Sequence, residues 1–256
     1  VVEVGQLVPH QTIEGFGGAF TEASSTVFSA LRSDLQQRVL DLYFGENGIG
    51  YTIGRVHINS CDFSLASYSF DDVEGDFVLA HFDRNASHDA HTLMPFIKAA
   101  QRRLSRASRE LRLFASPWSP PAWMKTNKQM AGKAADFLGE FLGPKLRAAH
   151  PELKIFVYDD QGKDGVEDWA RAIYSHVAAA QYADGIAFHW YTGDHFDSIA
   201  RVHQDYQQAL LLPSEATYEA LKWNPLASTV DGMWIFGEGY AHDIIGDLNA
   251  GAAGWI

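Results

Sequence analysis

Short apolar runs alternate along the chain with longer stretches whose apolar residues recur at helical spacing. That alternation predicts an α/β fold around a parallel sheet. A first strand is expected from Gln11 to Phe20, broken by Gly15, Gly17 and Gly18. Ser33 is expected to cap a helix with Leu35, Val39, Leu40 and Tyr43 on one face and a stop at Gly45. Further strands are expected over Tyr51 to Ile58, Leu111 to Ala115, Leu153 to Tyr158, Gly185 to Trp190 and Ala209 to Ser214, and Gly254-Trp255-Ile256 opens a last one. A helix from about His88 to Leu104 presents Leu93, Phe96, Ile97, Ala100 and Leu104 at helical spacing. Other helices are expected over Phe137 to Ala149, which Pro144 should kink or split, over Val166 to Ala180, over 196–208 and over Ala241 to Leu248.

Strand starts fall near 11, 51, 111, 153, 185, 209 and 253, which makes seven strands, the last incomplete. A (β/α)8 barrel needs eight, at roughly 30 residues per unit. Between Ala115 and Leu153 there is space for one loop and one helix, where a complete barrel places a helix, a strand and a second helix. The expectation is therefore a TIM (β/α)8-type barrel of the α/β class, lacking strand four and truncated in strand eight, forming one catalytic domain over residues 1–256.

Composition narrows the function. At 256 residues and 46% hydrophobic, the chain has enough apolar sequence for one sizeable core. A net charge of -12, with no Lys/Arg cluster beyond Arg102-Arg103 and their neighbours, argues against a nucleic-acid partner and against anchoring to a membrane by basic charge. No apolar run approaches the ~18 residues of a transmembrane helix. No signal peptide opens the chain, and the start at Val1 reads as mature or trimmed sequence. The single cysteine, Cys61, excludes an internal disulfide and a Cys-based zinc site, and it leaves secreted and cytoplasmic locations equally open. The histidines are scattered without H-E-x-x-H, so no metal centre is expected. Gly15-Phe16-Gly17-Gly18 and Gly48-Ile49-Gly50 do not complete G-x-G-x-x-G (Phe20 occupies the last glycine position of the first), so no dinucleotide and no other cofactor is expected.

Candidate chemistry gathers at strand ends. The run Ala209-Leu210-Leu211-Leu212-Pro213-Ser214 delivers Glu215 to its C-terminal end, the catalytic position of a barrel strand. His189-Trp190-Tyr191 ends the preceding strand and should stand beside it, where a tyrosine hydroxyl can hydrogen-bond the carboxylate and hold it ionised. Glu215 is thus the candidate nucleophile, and a second carboxylate to serve as acid and base is not found. Ser116-Pro117-Trp118-Ser119-Pro120-Pro121-Ala122-Trp123 reads as a stiff loop holding two indoles, either as a sugar-stacking wall or as plain structure.

Gly15-Phe16-Gly17-Gly18-Ala19-Phe20-Thr21-Glu22-Ala23, Arg55-Val56-His57-Ile58-Asn59-Ser60-Cys61-Asp62-Phe63-Ser64 and Ala115-Ser116-Pro117-Trp118 through Lys125-Thr126-Asn127 resemble glycoside hydrolase family 30, the glucosylceramidase-like enzymes. Tyr158-Asp159-Asp160, Gly185 to Tyr191, Ser214-Glu215-Ala216 and Tyr240 to Asn249 continue the resemblance in order. It implies a (β/α)8 catalytic barrel, retention of anomeric configuration and a β-glucoside or glycolipid as substrate partner. It assigns the nucleophile to Glu215 and sugar contacts to Glu22, Trp118, His189 and Tyr191, with Asp62 as a further one. Glucosylceramide, other β-glucosides, β-1,6-glucans and β-xylosides stay open. The family carries its acid/base Glu in Asn-Glu-Pro at the end of strand four, and this chain has no Asn-Glu-Pro. The resemblance jumps from Gly132-Lys133 to Phe137-Leu138-Gly139, and neither the strand-eight Asp-Trp-Asn nor the accessory β-sandwich follows. Impaired hydrolysis, or a non-catalytic sugar-binding remnant, is the expectation.

Overall fold

The computed structural model describes residues 11–91, 93–124, 142–218 and 230–256. They divide into two compact units, Phe16–Lys133 on one side and Val1–Gly15 with Ala134–Ile256 on the other.

In the first unit, β1 (Gly15–Phe20), β2 (Ile53–Ile58) and β3 (Arg112–Pro117) run parallel, with Gly17 opposite Ile53 and Ile53 opposite Arg112. A Cβ on Gly17 would stand 1.9 Å from the Ile53 carbonyl oxygen, so this glycine lets neighbouring strands approach. Three helices follow the strands. α1 (Glu22–Ala30) is a helix that the hydrophobic pattern misses; it starts in a capping box between Thr21 and Ser24. α2 (Ser33–Phe44) begins at Ser33, but Arg32 is the cap residue and no side chain caps it. Its buried face is Leu40 and Phe44, whereas Leu35 and Tyr43 are exposed, a correction to the expected face. The cause is aromatic packing: Phe44 stacks on Phe20, 5.8 Å between ring centroids, and this turns the helix. α3 (Leu93–Ser105) buries Leu93, Phe96, Ala100 and Leu104 as the spacing predicts. Phe96 joins the two sides of this core, stacked on Phe28 at 4.1 Å and edge-on to Phe20 at 5.0 Å.

In the second unit, β4 (Phe156–Asp160), β5 (Gly185–His189) and β6 (Leu210–Glu215) run parallel in that order. β7 (Gly254–Trp255) lies along β6, with backbone hydrogen bonds on either side of it from Ala253 N–H to Leu211 O and from Ile256 N–H to Pro213 O. The helices are α4 (Gly143–Ala149), α5 (Val166–Tyr174), α6 (Val177–Ala180), α7 (Phe196–Asp205) and α8 (Val230–Asn249). Pro144 sits in the first turn of α4, where a missing N–H costs nothing, so it starts this helix instead of kinking it; residues 137–141 of the expected helix lie outside the described residues. The stretch expected as one helix from Val166 breaks at Ser175-His176, where the His176 ring accepts the Ala179 N–H. Ile186, Phe188, Ile199, Val202, Leu211 and Val166 form the core between β5, β6, α5 and α7. Each such side chain stabilises by about 1.5–3 kcal/mol on burial.

α8 is tied to the segment after β4 by charge. The fully buried Lys163 ammonium pairs with Asp243 and, at 2.8 Å, with Asp247, and the Trp255 indole N–H donates to Asp243 at 3.0 Å. Burial first, then the Asp243 charge, pushes the Asp247 carboxyl up to about 8, against the pull of Lys163.

Parallel strands alternating with helices give an α/β fold of the incomplete (β/α)8-barrel kind. Seven strands occur among the described residues, as the spacing predicts. The motifs around Lys125-Thr126-Asn127, Gly132-Lys133 and Phe137-Leu138-Gly139 lie outside the described residues.

Candidate active site

The second unit brings three predicted residues together at the C-terminal ends of β5 and β6. Glu215 closes β6, His189 closes the fully buried β5, and Tyr191 follows it. The Tyr191 hydroxyl donates to Glu215 Oε1 at 2.9 Å, and His189 Nδ1 lies 3.8 Å from the same oxygen. Burial, and then the Glu215 charge, pushes the Tyr191 hydroxyl well above the usual phenol range, so it keeps its proton and stays a donor. His189 itself is buried.

Two residues that sequence reasoning did not put in this cluster complete it. Between β4 and β5 the pairing passes from Tyr158 opposite Ala187 to Asp160 opposite Phe188, which leaves Asp159 as a bulge. Between β5 and β6 it passes from Phe188 opposite Pro213 to His189 opposite Glu215, which leaves Ser214 as a second bulge. The two bulged residues meet: the Ser214 hydroxyl donates to Asp159 Oδ1 at 2.6 Å, and His189 Nε2 lies 3.2 Å from that oxygen. Tyr158 and Asp159 both have positive φ, 80° and 42°. Such backbone costs on the order of 1–3 kcal/mol per residue and persists where surrounding contacts over-determine it. The Tyr158 hydroxyl bond to Gly162 O at 2.8 Å and its ring contact with Trp169 are among those contacts.

The other predicted residues belong to the first unit. Trp118, just past β3, is half-buried, and the Arg55 guanidinium of β2 lies over its ring at 4.2 Å. Arg55 is buried and also donates to the Ser116 hydroxyl at 3.2 Å. A charge against the indole face therefore helps to hold the ring in place. Trp123, the second indole of that loop, donates its N–H to the Asp71 carbonyl at 2.8 Å. Glu22 is buried at the start of α1; one carboxylate oxygen accepts the Leu65 N–H at 3.0 Å and the other lies 3.6 Å from His88 Nε2. Those bonds hold the segment after β2 down on α1. Asp62 is exposed in the turn that follows β2. No group of three or more His, Cys, Asp or Glu side chains able to hold a metal occurs among the described residues. Among the same residues, no helix is long and apolar enough to cross a membrane.

The chain is similar to known proteins. The profile described as "Glycosyl hydrolase family 30 TIM-barrel domain" matches residues 13–136 and 133–256. Putative glucosylceramidase 3 of Caenorhabditis elegans is 33% identical over an alignment covering 96% of this chain and 58% of the relative. The lysosomal acid glucosylceramidase of Mus musculus is 29% identical over 96% of this chain and 59% of its own length. The crystal structure of SrfJ from Salmonella typhimurium superposes with a TM-score of 0.83 at 30% identity, covering 96% of this chain and 64% of that one. The chain thus spans less than two thirds of each of these proteins. Matched by the family profile over both its halves, it belongs to glycosyl hydrolase family 30.

Proposed function

We propose that the chain is a retaining β-glycosidase of glucosylceramidase type, with Glu215 as nucleophile and without its general acid. The single observation that carries this reading is the Tyr191–Glu215–His189 cluster at the ends of adjacent parallel strands in a family 30 chain. In such a mechanism a Glu215 oxygen bonds to the anomeric carbon while the bond to the leaving oxygen breaks; water then displaces Glu215 and restores the original configuration. Tyr191, a donor throughout, holds the carboxylate in place.

The missing acid is supported from two sides. Asn-Glu-Pro does not occur in the chain. The alignment to the Caenorhabditis elegans relative runs over 308 residues, yet 96% of a 256-residue chain takes part, so on the order of 60 of its positions have no counterpart here. At roughly 30 residues per β/α unit, that is enough to include a strand and its helix. Loss of leaving-group protonation costs about 10²–10⁴-fold, and least where the leaving group is already stable as an anion. Asp159 is not the replacement in this reading, because Ser214 and His189 occupy its carboxylate.

The substrate is a β-glucoside, with a glucosylceramide-like glycolipid favoured by the names of the relatives. Glu22 acts indirectly, through the segment that it anchors. The test is hydrolysis of 2,4-dinitrophenyl β-glucoside beside an alkyl β-glucoside. Slow turnover of the first, accelerated by azide, with none of the second is expected. Brisk turnover of the alkyl glucoside would mean that the acid has been replaced, and binding of glucose without any turnover would mark a sugar-binding remnant.

A further inference from the structure

The pairing irregularities on both sides of β5 produce one outcome: Asp159 and Ser214, each the extra residue of its strand, meet over the buried His189. A carboxylate only accepts hydrogen bonds. With Ser214 donating to Oδ1 at 2.6 Å and His189 Nε2 at 3.2 Å from the same atom, the imidazole proton belongs on Nε2. The ring's other nitrogen, Nδ1, is the one turned to Glu215, 3.8 Å from Oε1.

We propose that Asp159 is a positioning residue that fixes the Nε2–H tautomer of His189, so that the second proton the ring can take goes on Nδ1, facing Glu215. This rests on the reading of Glu215 as nucleophile. His189 then acts on the reacting carboxylate by its charge: with Nδ1 protonated, a cation stands beside Glu215. The strain at Tyr158 and Asp159 is the cost of aiming this carboxylate under the ring. An asparagine at 159 suits the left-handed backbone and nearly matches aspartate in size. Its amide can donate to the ring where the carboxylate accepts, which moves the ring proton to Nδ1.

The direct test is the ¹⁵N spectrum of the histidine rings of the intact chain, with His189 assigned by the signal lost in His189→Asn. The wild-type ring should carry its proton on Nε2, and the Asp159→Asn ring on Nδ1. A wild-type Nδ1–H tautomer overturns the proposal without recourse to any variant. The functional readout is covalent labelling by 2-deoxy-2-fluoro-β-glucosyl fluoride, followed by intact mass. In that step a Glu215 oxygen bonds to the anomeric carbon and the carbon–fluorine bond breaks, fluoride leaving with the electron pair and no proton required. Asp159→Asn should slow labelling roughly 10–100-fold and remove one ionisation from its pH profile. Asp160→Asn, at the neighbouring position, should change neither. Labelling with an unaltered pH profile in a folded Asp159→Asn chain contradicts the proposal. An unlabelled wild type contradicts the nucleophile reading instead, and the tautomer measurement still decides the role of Asp159.

Discussion

β5 and β6 differ from β3 and β4 in one physical respect, their burial. All five residues of β5 are buried, as are four of the six in β6. In β3 only Ser116 is buried, and in β4 no residue is. Inner strands of a parallel sheet are normally covered on both faces, and β3 and β4 are the two that flank the interval where the sequence is short of a strand. Each is also the end strand of its sheet among the described residues. The shortfall is therefore written into the two strands beside it, while the strands that carry Glu215 and His189 keep a packed interior. The packed strands are thus the ones that carry Glu215 and His189, and the exposed ones are those beside the interval.

The contrast is sharpest in chemistry. Glu215→Gln should abolish covalent labelling by an activated fluoroglucoside, read by intact mass, whereas substitutions in β3 away from Trp118 should leave it unchanged. In stability the contrast is next largest. Phe188→Ala, in β5, should cost about 3–5 kcal/mol in urea unfolding, against about 0.5 kcal/mol or less for Leu113→Ala in β3. Equal losses at the two positions would mean that β3 is covered in solution.

The interior of the second unit also sets a pH dependence. The Asp247 carboxyl is pushed up to about 8 in the folded chain from an ordinary 3.8. Between those values the folded state holds a proton that the unfolded state has lost, so stability falls as pH rises. The contribution is complete below about 4 and gone above about 8. Thermal midpoints should decline from pH 5 to 8.5, and Asp247→Asn should flatten the decline. A midpoint that climbs over this range in the wild type contradicts the buried arrangement. The smallest effect concerns the exposed face of β3. Leu113 is exposed there, and exposed apolar side chains favour association, so Leu113→Lys should reduce concentration-dependent association in sedimentation without loss of helix signal.

Much of this was legible in the chain. The spacing of Leu93, Phe96, Ala100 and Leu104 specified the face of α3, and the apolar run before Glu215 specified β6, because burial imposes those periods directly. α1 was hidden because Glu22 to Ala30 is rich in serine and threonine; the capping box of Thr21 and Ser24 was the available signal. α8 starts well before Ala241 through a stretch of aromatic and small residues that carries no amphipathic stripe. At the site, Glu215, His189 and Tyr191 could be read from their places after strands. Asp159 could not be read as the partner of His189 and Ser214, because that contact depends on two one-residue shifts of pairing that no alternation of residue types records. The burial of Glu22 was equally invisible, since its partner is the backbone of Leu65.

The measurement that tests the central claim most directly is the intact mass of the chain during reaction with 2,4-dinitrophenyl β-glucoside. A nucleophile without its acid and base forms the covalent intermediate with this leaving group and then hydrolyses it slowly. The account expects one hexose residue to accumulate on Glu215 and to be discharged by azide. A chain that keeps its unmodified mass throughout, or that releases the sugar as fast as it is loaded without azide, contradicts it.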